Sequence, residues 1–247
     1  MIYNNISDLN KNSLMKMVDG IKSGNKVLII KNGINIFNLI EWENFFNQKL
    51  SFTIDKRHYD FKSNLKMSNW WTINYDPDKE TTYTHSNTRQ PLHNDNAWFI
   101  DPAEINLFFM ERQSSDGGEN TFYPLERLFE DLSKNQPTLL NDLMNIEVII
   151  KKGNTANYNK TTIINNNAIY WNYYRTEKKN NEIKKMCDTF FEFLESREDT
   201  SSVEIYRMDT NDLFCFNDLT LLHGRLRYEG KKKNDRILHQ SMWKLND

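Results

Sequence analysis

Two hydrophobic periods run along this chain, and the switch between them falls near residue 70. Up to residue 50 the apolar positions recur mostly at helical spacing. Leu9, Leu14, Met15, Met17, Val18 and Ile21 share a face behind Ser7-Asp8, a pair suited to capping, and this helix ends by Gly24. KVLIIK at 26–31 reads as a short strand stopped by Asn32-Gly33. A second helix over 36–46 carries Ile36, Phe37, Leu39, Ile40, Trp42, Phe45 and Phe46. Nothing in this stretch carries chemistry, and ordinary amphipathic scaffolding accounts for it.

Beyond that point strands dominate. WWTINY at 70–75 ends in the turn Asp76-Pro77-Asp78, and INLFFME at 105–111 runs into the loop Ser114-Ser115-Asp116-Gly117-Gly118. Further strands are expected at 146–151, 161–164, 168–174, 203–208, 212–216, 219–223 and 236–245. Helices are expected at 124–133, 136–144 and 180–196, the last with Ile183, Met186, Cys187, Phe190, Phe191 and Leu194 in register.

No internal repeat and no Pro/Gly-rich linker divides the chain. Many short strands with helices grouped at one end and inserted midway predict a mainly β, α+β chain folded as a double-stranded β-helix, a cupin-like jelly roll. A generic α+β sandwich is the alternative. We expect one domain over 1–247, with 1–50 a helical scaffold and 70–247 the jelly-roll core with helical insertions.

Composition narrows the partners. A net charge of -2 supplies no electrostatic footprint for nucleic acid or an anionic membrane. The one basic run, Lys231-Lys232-Lys233, sits beside Gly230 and Asn234 and reads as a solvated hairpin tip. No run of apolar residues is long enough to span a bilayer, and the first residues lack the pattern of a secretory signal. The two cysteines, Cys187 and Cys215, make no disulfide framework, which fits a reducing cytoplasm. Aromatics at 13% suit the walls of a ligand cavity, although core packing accounts for most of them. A small molecule is therefore the expected partner, and oligomeric state has no signature here.

The candidate chemistry lies in Pro91-Leu92-His93-Asn94-Asp95, in Leu222-His223-Gly224-Arg225 and in Arg236. On an extended strand His93 and Asp95 would point to one face. His223 from a distant strand would complete two imidazoles and one carboxylate, the set that leaves open positions for non-haem Fe(II) to bind a co-substrate and O2. Arg236 would clamp the far carboxylate of an oxo-acid through its planar fork. Alone, His-x-Asp is a weak signal, and most strand histidines are not ligands. The order of the pieces, not any one of them, carries the reading.

These segments resemble the TauD/TfdA family of Fe(II)- and 2-oxoglutarate-dependent dioxygenases, related to taurine dioxygenase and the clavaminate-synthase-like enzymes. The likeness rests on Gln90-Pro91-Leu92-His93-Asn94-Asp95, then Gly117-Gly118-Glu119-Asn120-Thr121-Phe122, then Phe216 to Arg225, and Asp235-Arg236-Ile237-Leu238-His239. It covers roughly 70–247 in family order. It implies iron on His93, Asp95 and His223, and 2-oxoglutarate on Arg236. It also implies oxidation of a substrate by O2 while 2-oxoglutarate is decarboxylated to succinate and CO2.

Two departures bear on specificity. Relatives carry a Thr after Gly-Gly-Glu/Asp that bonds the 2-oxoglutarate carboxylate, whereas here Asn120 stands in that place and Thr121 follows. Adjacent strand positions face opposite ways, so only one can serve, and Asn120 is favoured. Sulfonate-oxidising relatives carry a second Arg four residues after the first, where this chain has Gln240, so taurine is not the expected substrate. Related halogenases lack the carboxylate that Asp95 supplies, so hydroxylation is expected over chlorination. Around the site, Gln90, Asn96, Trp98, Arg225 and Gln240 are the candidate substrate residues, with Trp98 as an apolar wall. Asp218 is a candidate for orienting a ligand histidine. The expected activity is hydroxylation of a small polar metabolite, such as an amino acid or biosynthetic intermediate. A non-catalytic ligand-binding barrel and a protein-directed hydroxylase are the alternatives.

Overall fold

The computed structural model describes residues 2–3, 18–23, 26–35, 37–55, 69–153 and 158–246. Its strands are β1 (Ile2–Tyr3), β2 (Leu28–Ile30), β3 (Thr53–Ile54), β4 (Trp71–Asn74), β5 (Gln90–His93), β6 (Ile105–Arg112), β7 (Asn120–Pro124), β8 (Glu147–Lys151), β9 (Tyr158–Thr162), β10 (Ile164–Asn165), β11 (Ala168–Ile169), β12 (Glu204–Tyr206), β13 (Leu213–Asn217), β14 (Leu221–Arg225) and β15 (Ile237–Lys244). The helices are α1 (18–22), α2 (Leu39–Asn44) with a following π turn (Phe45–Lys49), α3 (Leu125–Asn135), α4 (Pro137–Asn145) and α5 (Asn181–Arg197).

A 7-stranded sheet has the order β1-β2-β13-β6-β15-β3, with β4 also paired to β15. A 4-stranded sheet has the order β12-β7-β14-β5. Except for the parallel β1–β2 pair, the pairings in both sheets are antiparallel. This is the double-stranded β-helix expected from the strand pattern.

Side-chain alternation sorts the strands into three apolar layers. Along β6, Phe108 and Met110 face the other sheet; with Phe214 and Phe216 of β13 and Leu238 of β15 from their own sheet they meet Phe122 of β7 and Leu221 of β14 across the gap. The alternate residues Ile105, Leu107 and Phe109 face outward and pack with Trp42, Phe46, Leu213 and Trp243 under the N-terminal helices. A strand covered on both faces shows an unbroken apolar run, which is why INLFFM is buried throughout. The outer face of the smaller sheet, through Leu92, Tyr123 and Leu222, is roofed by α3, α4 and α5. The inner face therefore holds both the apolar core and the polar residues discussed below.

Several expectations shift. The helix expected from Ser7-Asp8 to Gly24 falls mostly outside the described residues, and its described part, 18–22, is helical. The segment 26–31 is more than N-terminal scaffold, because β2 pairs with β13 inside the large sheet. The second helix begins at Leu39, where Asn38 accepts from the amides of Ile40 and Glu41 at 3.0 Å while Glu41 accepts from the Asn38 amide at 2.8 Å. The strand expected over 168–174 ends at Ile169, and the following residues turn. That early end bends Asn172 to Arg175 toward a cavity. No helix among the described residues is long and apolar enough to cross a membrane.

Candidate metal centre

His93 and His223 lie directly opposite each other on β5 and β14. Their rings stand 4.4 Å apart between centroids at 45°. Asp95 completes the group: its Oδ1 is 3.3 Å from His93 Nε2 and its Oδ2 is 3.4 Å from His223 Nε2. One ligand atom from each residue falls within 4.8 Å of the others, a spacing compatible with one shared metal ion. Among the described residues this is the one cluster of its kind.

The local backbone is built to aim these groups. β5 is an edge strand, and its pairing with β14 slips between His223↔His93 and Arg225↔Gln90, so β5 holds one extra residue. Pro91 sits in that bulge, where its missing amide costs no ladder bond. A side chain at Gly224 would place its Cβ 2.7 Å from Thr121 Oγ1 and 2.8 Å from Gln90 O, so the close approach of the three strands requires glycine. Gly117, at φ 69°, turns the chain into β7 where a Cβ would meet Arg227 O at 2.3 Å.

Asp95 lies beyond the end of β5, not on the strand as the sequence pattern suggested. Asn94 makes the bend. Its amide nitrogen donates to Trp171 O at 2.7 Å, its Oδ1 accepts from Trp171 N at 2.9 Å, and its Nδ2 donates to the carbonyls of Asp218 and Leu221. The Asp95 amide then donates to Asp218 Oδ2 at 3.0 Å.

Each cluster residue has an outer partner. His93 Nδ1 is 2.9 Å from Pro91 O, and His223 Nδ1 is 3.1 Å from Asp218 Oδ1, which leaves both Nε2 atoms facing Asp95. Gln90 Nε2 lies 2.9 Å from His93 Nε2. Asp95 Oδ2 accepts from Gln240 Nε2 at 2.5 Å and from Asn106 Nδ2 at 3.1 Å. Burial opposes charge on Asp95, but the neighbouring histidines outweigh it and hold the carboxyl well below its usual range. Burial likewise opposes charge on His223, while Asp95 and Asp218 overcome it and raise the imidazole to about 10. Asp218 is pushed up by its burial. Phe108 and Phe216 border His223 at 6.1 and 5.1 Å between ring centroids.

Two cavities share Gln90 and Asp95 in their walls. The narrow one, about 50 Å³, includes Asn120, His223, Arg225 and Arg236. Arg236 is 1% exposed; its Nε donates to Gln113 at 3.3 Å and its Nη2 has no partner among the described residues. Arg225 donates through Nη2 to the carbonyls of Ser86 at 3.0 Å and Thr88 at 2.7 Å, and its Nε is unpartnered. Both guanidinium groups lie over Tyr228, at 4.9 Å for Arg225 and 5.3 Å for Arg236. Burial, and then the charge of Arg225, push Arg236 down from its ordinary value. Two buried cations with unused donors and no acidic partner among the described residues need an anion. A cavity of this size takes the carboxylate end of a ligand, given about 30 Å³ per water in the liquid. 2-Oxoglutarate fits that requirement. Asn120 contributes a further unpartnered Nδ2 to this pocket, whereas Thr121 packs against Gly224 and does not line it.

The wide cavity, about 520 Å³, includes Trp98, His93 and Asp95 and is walled by residues 81–85 and 172–175. Of the candidate substrate residues, Trp98 and Gln90 line this cavity. Three other candidates do not. Gln240 is buried beneath Asp95, because alternation on β15 turns it inward with Leu238 and Met242. Asn96 is buried too, its Nδ2 donating to Met242 Sδ at 2.7 Å. Arg225 lies in the narrow cavity and ties down the chain before β5. Asn94, Asn106 and Tyr228 were not singled out from the sequence. The lone Asn in the apolar run of β6 was the one available signal for Asn106.

A face of two histidines and a carboxylate that could hold a metal ion, set inside a jelly roll beside a cationic slot, is the arrangement of the non-haem iron, 2-oxoglutarate-dependent dioxygenases. Residues 5–242 match the Taurine catabolism dioxygenase TauD, TfdA family, and the chain belongs to it. No curated relative matches in sequence. Among solved structures, PvcB from Pseudomonas aeruginosa is similar at 13% identity and TM-score 0.68, over 98% of this chain and 84% of that one. OrfP, a non-haem iron oxygenase solved with Fe and alpha-ketoglutaric acid, is similar at 12% identity and TM-score 0.65, over 96% and 79%. Asparagine oxygenase, solved with Fe(II), 3-hydroxyasparagine and succinate, is similar at 11% identity and TM-score 0.60. That last likeness covers 72% of this chain, which spans only 57% of the asparagine oxygenase chain.

Proposed function

We propose that this chain hydroxylates a small, amino-acid-like metabolite, with iron held by His93, Asp95 and His223. The observation that carries the reading is the meeting of these three groups where the two cavities join. Bound iron, with 2-oxoglutarate and O2, supplies the oxidation: one oxygen atom enters a substrate C–H bond, and the other is incorporated as 2-oxoglutarate becomes succinate and CO2.

The chain's own residues position and shield. Pro91 O and Asp218 each face the outer nitrogen of one imidazole, so the inner nitrogen is the one turned to the metal, which would displace its proton on binding. Gln240 and Asn106 fix the carboxylate of Asp95. Arg236 would grip the distal carboxylate of 2-oxoglutarate, with Asn120 donating a further hydrogen bond and Arg225 adding charge. Phe108 and Phe216 keep water away from the His223 side. A substrate entering the wide cavity reaches the opposite side of the cluster, next to His93 and Asp95.

The substrate class is supported by OrfP, solved with 3-hydroxyarginine, and by asparagine oxygenase. Hydroxylation over chlorination is supported by the intact carboxylate of Asp95. Cys187 and Cys215 are free and buried, which supports a reducing cytoplasmic setting. The test is succinate release from 2-oxoglutarate in the presence of Fe(II), O2 and a metabolite library, with the product gaining the mass of one oxygen. Wild type should release succinate and Asp95→Ala should not; equal turnover by the two would refute the assignment.

A further inference from the structure

Two segments outside the strands wall the wide cavity, residues 81–85 ahead of β5 and residues 172–175 after β11. Backbone bonds hold their ends: the Lys151 amide donates to Arg175 O at 2.9 Å, and the Tyr228 amide donates to Asn87 O at 3.1 Å. Side chains then tie both segments to a single helix, α5.

Arg89, at the end of the first wall, presents its fork to Glu195, Nη1 and Nη2 each donating at 2.5 Å, while its Nε donates to Glu198 at 2.7 Å. Glu198 is 7% exposed, so water screens that contact less than a surface pair. In the second wall the Tyr173 hydroxyl donates to Asp188 at 2.8 Å, and the Tyr173 ring packs on Phe191 at 4.5 Å between centroids. Asp188, Phe191, Glu195 and Glu198 stand at i, i+3, i+7 and i+10, which is one stripe of a helix. The opposite side of α5 is fixed in the core through Met186, Cys187, Phe190 and Leu194.

A helix rises 1.5 Å per residue, so Asp188 and Glu195 hold their two partners about 10 Å apart along its axis. Helices keep such spacings better than turns do, because each turn is bonded to the next. Arg89 also precedes Gln90, which borders both cavities and lies 2.9 Å from His93 Nε2. A shift of Arg89 therefore passes directly to the start of the ligand strand.

We propose that this stripe of α5 sets the width of the wide cavity, with Arg89 as the positioning residue of one wall and Tyr173 of the other. This rests on the dioxygenase reading above, in which that width governs what reaches the metal cluster.

The experiment uses the full chain with Thr81→Cys and Arg175→Cys, one exposed position in each wall, carrying spin labels. Cys187 and Cys215 are buried and stay unlabelled. Double electron–electron resonance reads the gap without any metal. A single narrow distance is expected in this parent. Arg89→Gln and Tyr173→Phe should each shift or broaden it, and Arg89→Glu combined with Glu195→Arg should restore it. Hydrogen exchange should quicken about two- to fivefold at 81–90 in Arg89→Gln and at 172–175 in Tyr173→Phe, the scale of a part-exposed polar tie. An unchanged gap in both single variants would overturn the proposal, even with a lowered melting temperature, since α5 would then serve stability alone. Failure of the reversed pair to restore the gap would remove Arg89 and Glu195 from the role. The dioxygenase reading is checked separately by the weak visible band of wild type with Fe(II) and 2-oxoglutarate. If that band fails to form, the spin-label distances still decide what sets the cavity's width.

Discussion

Gln240 Nε2 donates to Asp95 Oδ2 at 2.5 Å, and Asn106 donates to the same oxygen at 3.1 Å. The two amides also bond each other, Gln240 Nε2 to Asn106 Oδ1 at 2.8 Å. They lie on neighbouring strands, where Gln240 pairs with Phe108 and Asn106 with Met242, so they are diagonal neighbours on the inner face. A carboxylate held this way is fixed in orientation before any metal arrives. Gln240→Leu should therefore weaken Fe(II) binding by about 10- to 100-fold, the usual loss for an outer partner of a metal ligand. Titration with Mn(II), followed by its electron spin resonance, measures this without turnover. Unchanged affinity would show that Asp95 needs no support from β15.

Arg236 predicts an effect on stability as well as on kinetics. Without an anion it is a buried cation with an unused donor. Arg236→Met should raise the melting temperature of the ligand-free protein, about 2–4 °C for each 1 kcal/mol relieved in a chain of this size. Addition of 2-oxoglutarate should stabilise wild type and not this variant. Thermal melts with and without 2-oxoglutarate distinguish these outcomes, and an equal shift in both proteins would remove Arg236 from the binding role.

Arg225 joins the two cavities through the backbone. It donates to the carbonyls of Ser86 and Thr88, and the Tyr228 hydroxyl donates to Ser86 O at 3.0 Å. Residues 81–85, just before this anchor, wall the wide cavity. Arg225→Met should speed hydrogen exchange across 81–90 and raise the KM for the primary substrate more than that for 2-oxoglutarate. Exchange rates matching wild type would mean that the segment is held by other contacts.

The thiols give a pH prediction away from the site. Burial raises Cys187 from 9.0 to about 11 and raises Cys215 as well. A thiol that ionises later in the folded protein than in the unfolded chain favours folding fully below the unfolded value. That contribution is lost as pH climbs through the folded value. The melting temperature should accordingly fall between pH 9 and about 11, and thiol reagents at neutral pH should label both cysteines only on unfolding. Prompt labelling of the native protein would contradict their burial.

The chemistry of this chain was more legible than its support. His93, Asp95, His223 and Arg236 announce themselves because their residue types and order are chemically demanding, and β6 announces itself as an apolar run. The placement of Gln240 depended on β15 turning it under Asp95, which a lone Gln in a strand does not reveal. Asp95 leaves β5 because Asn94 bonds Trp171, a partner far along the sequence that local spacing cannot supply. The strand expected over 168–174 failed for a similar reason: residues 172–175 turn toward the cavity instead of pairing. The loops between Phe52 and Arg89 and between Lys152 and Arg175 carried no readable motif, yet they supply much of the wide cavity's wall.

The most direct measurement is the visible absorption of the protein titrated anaerobically with Fe(II) and then 2-oxoglutarate, compared with His223→Ala and Asp95→Ala. Wild type should develop a weak charge-transfer band that saturates at one iron per chain, and both variants should lose it. A band of wild-type strength in either variant would contradict the placement of iron between these side chains.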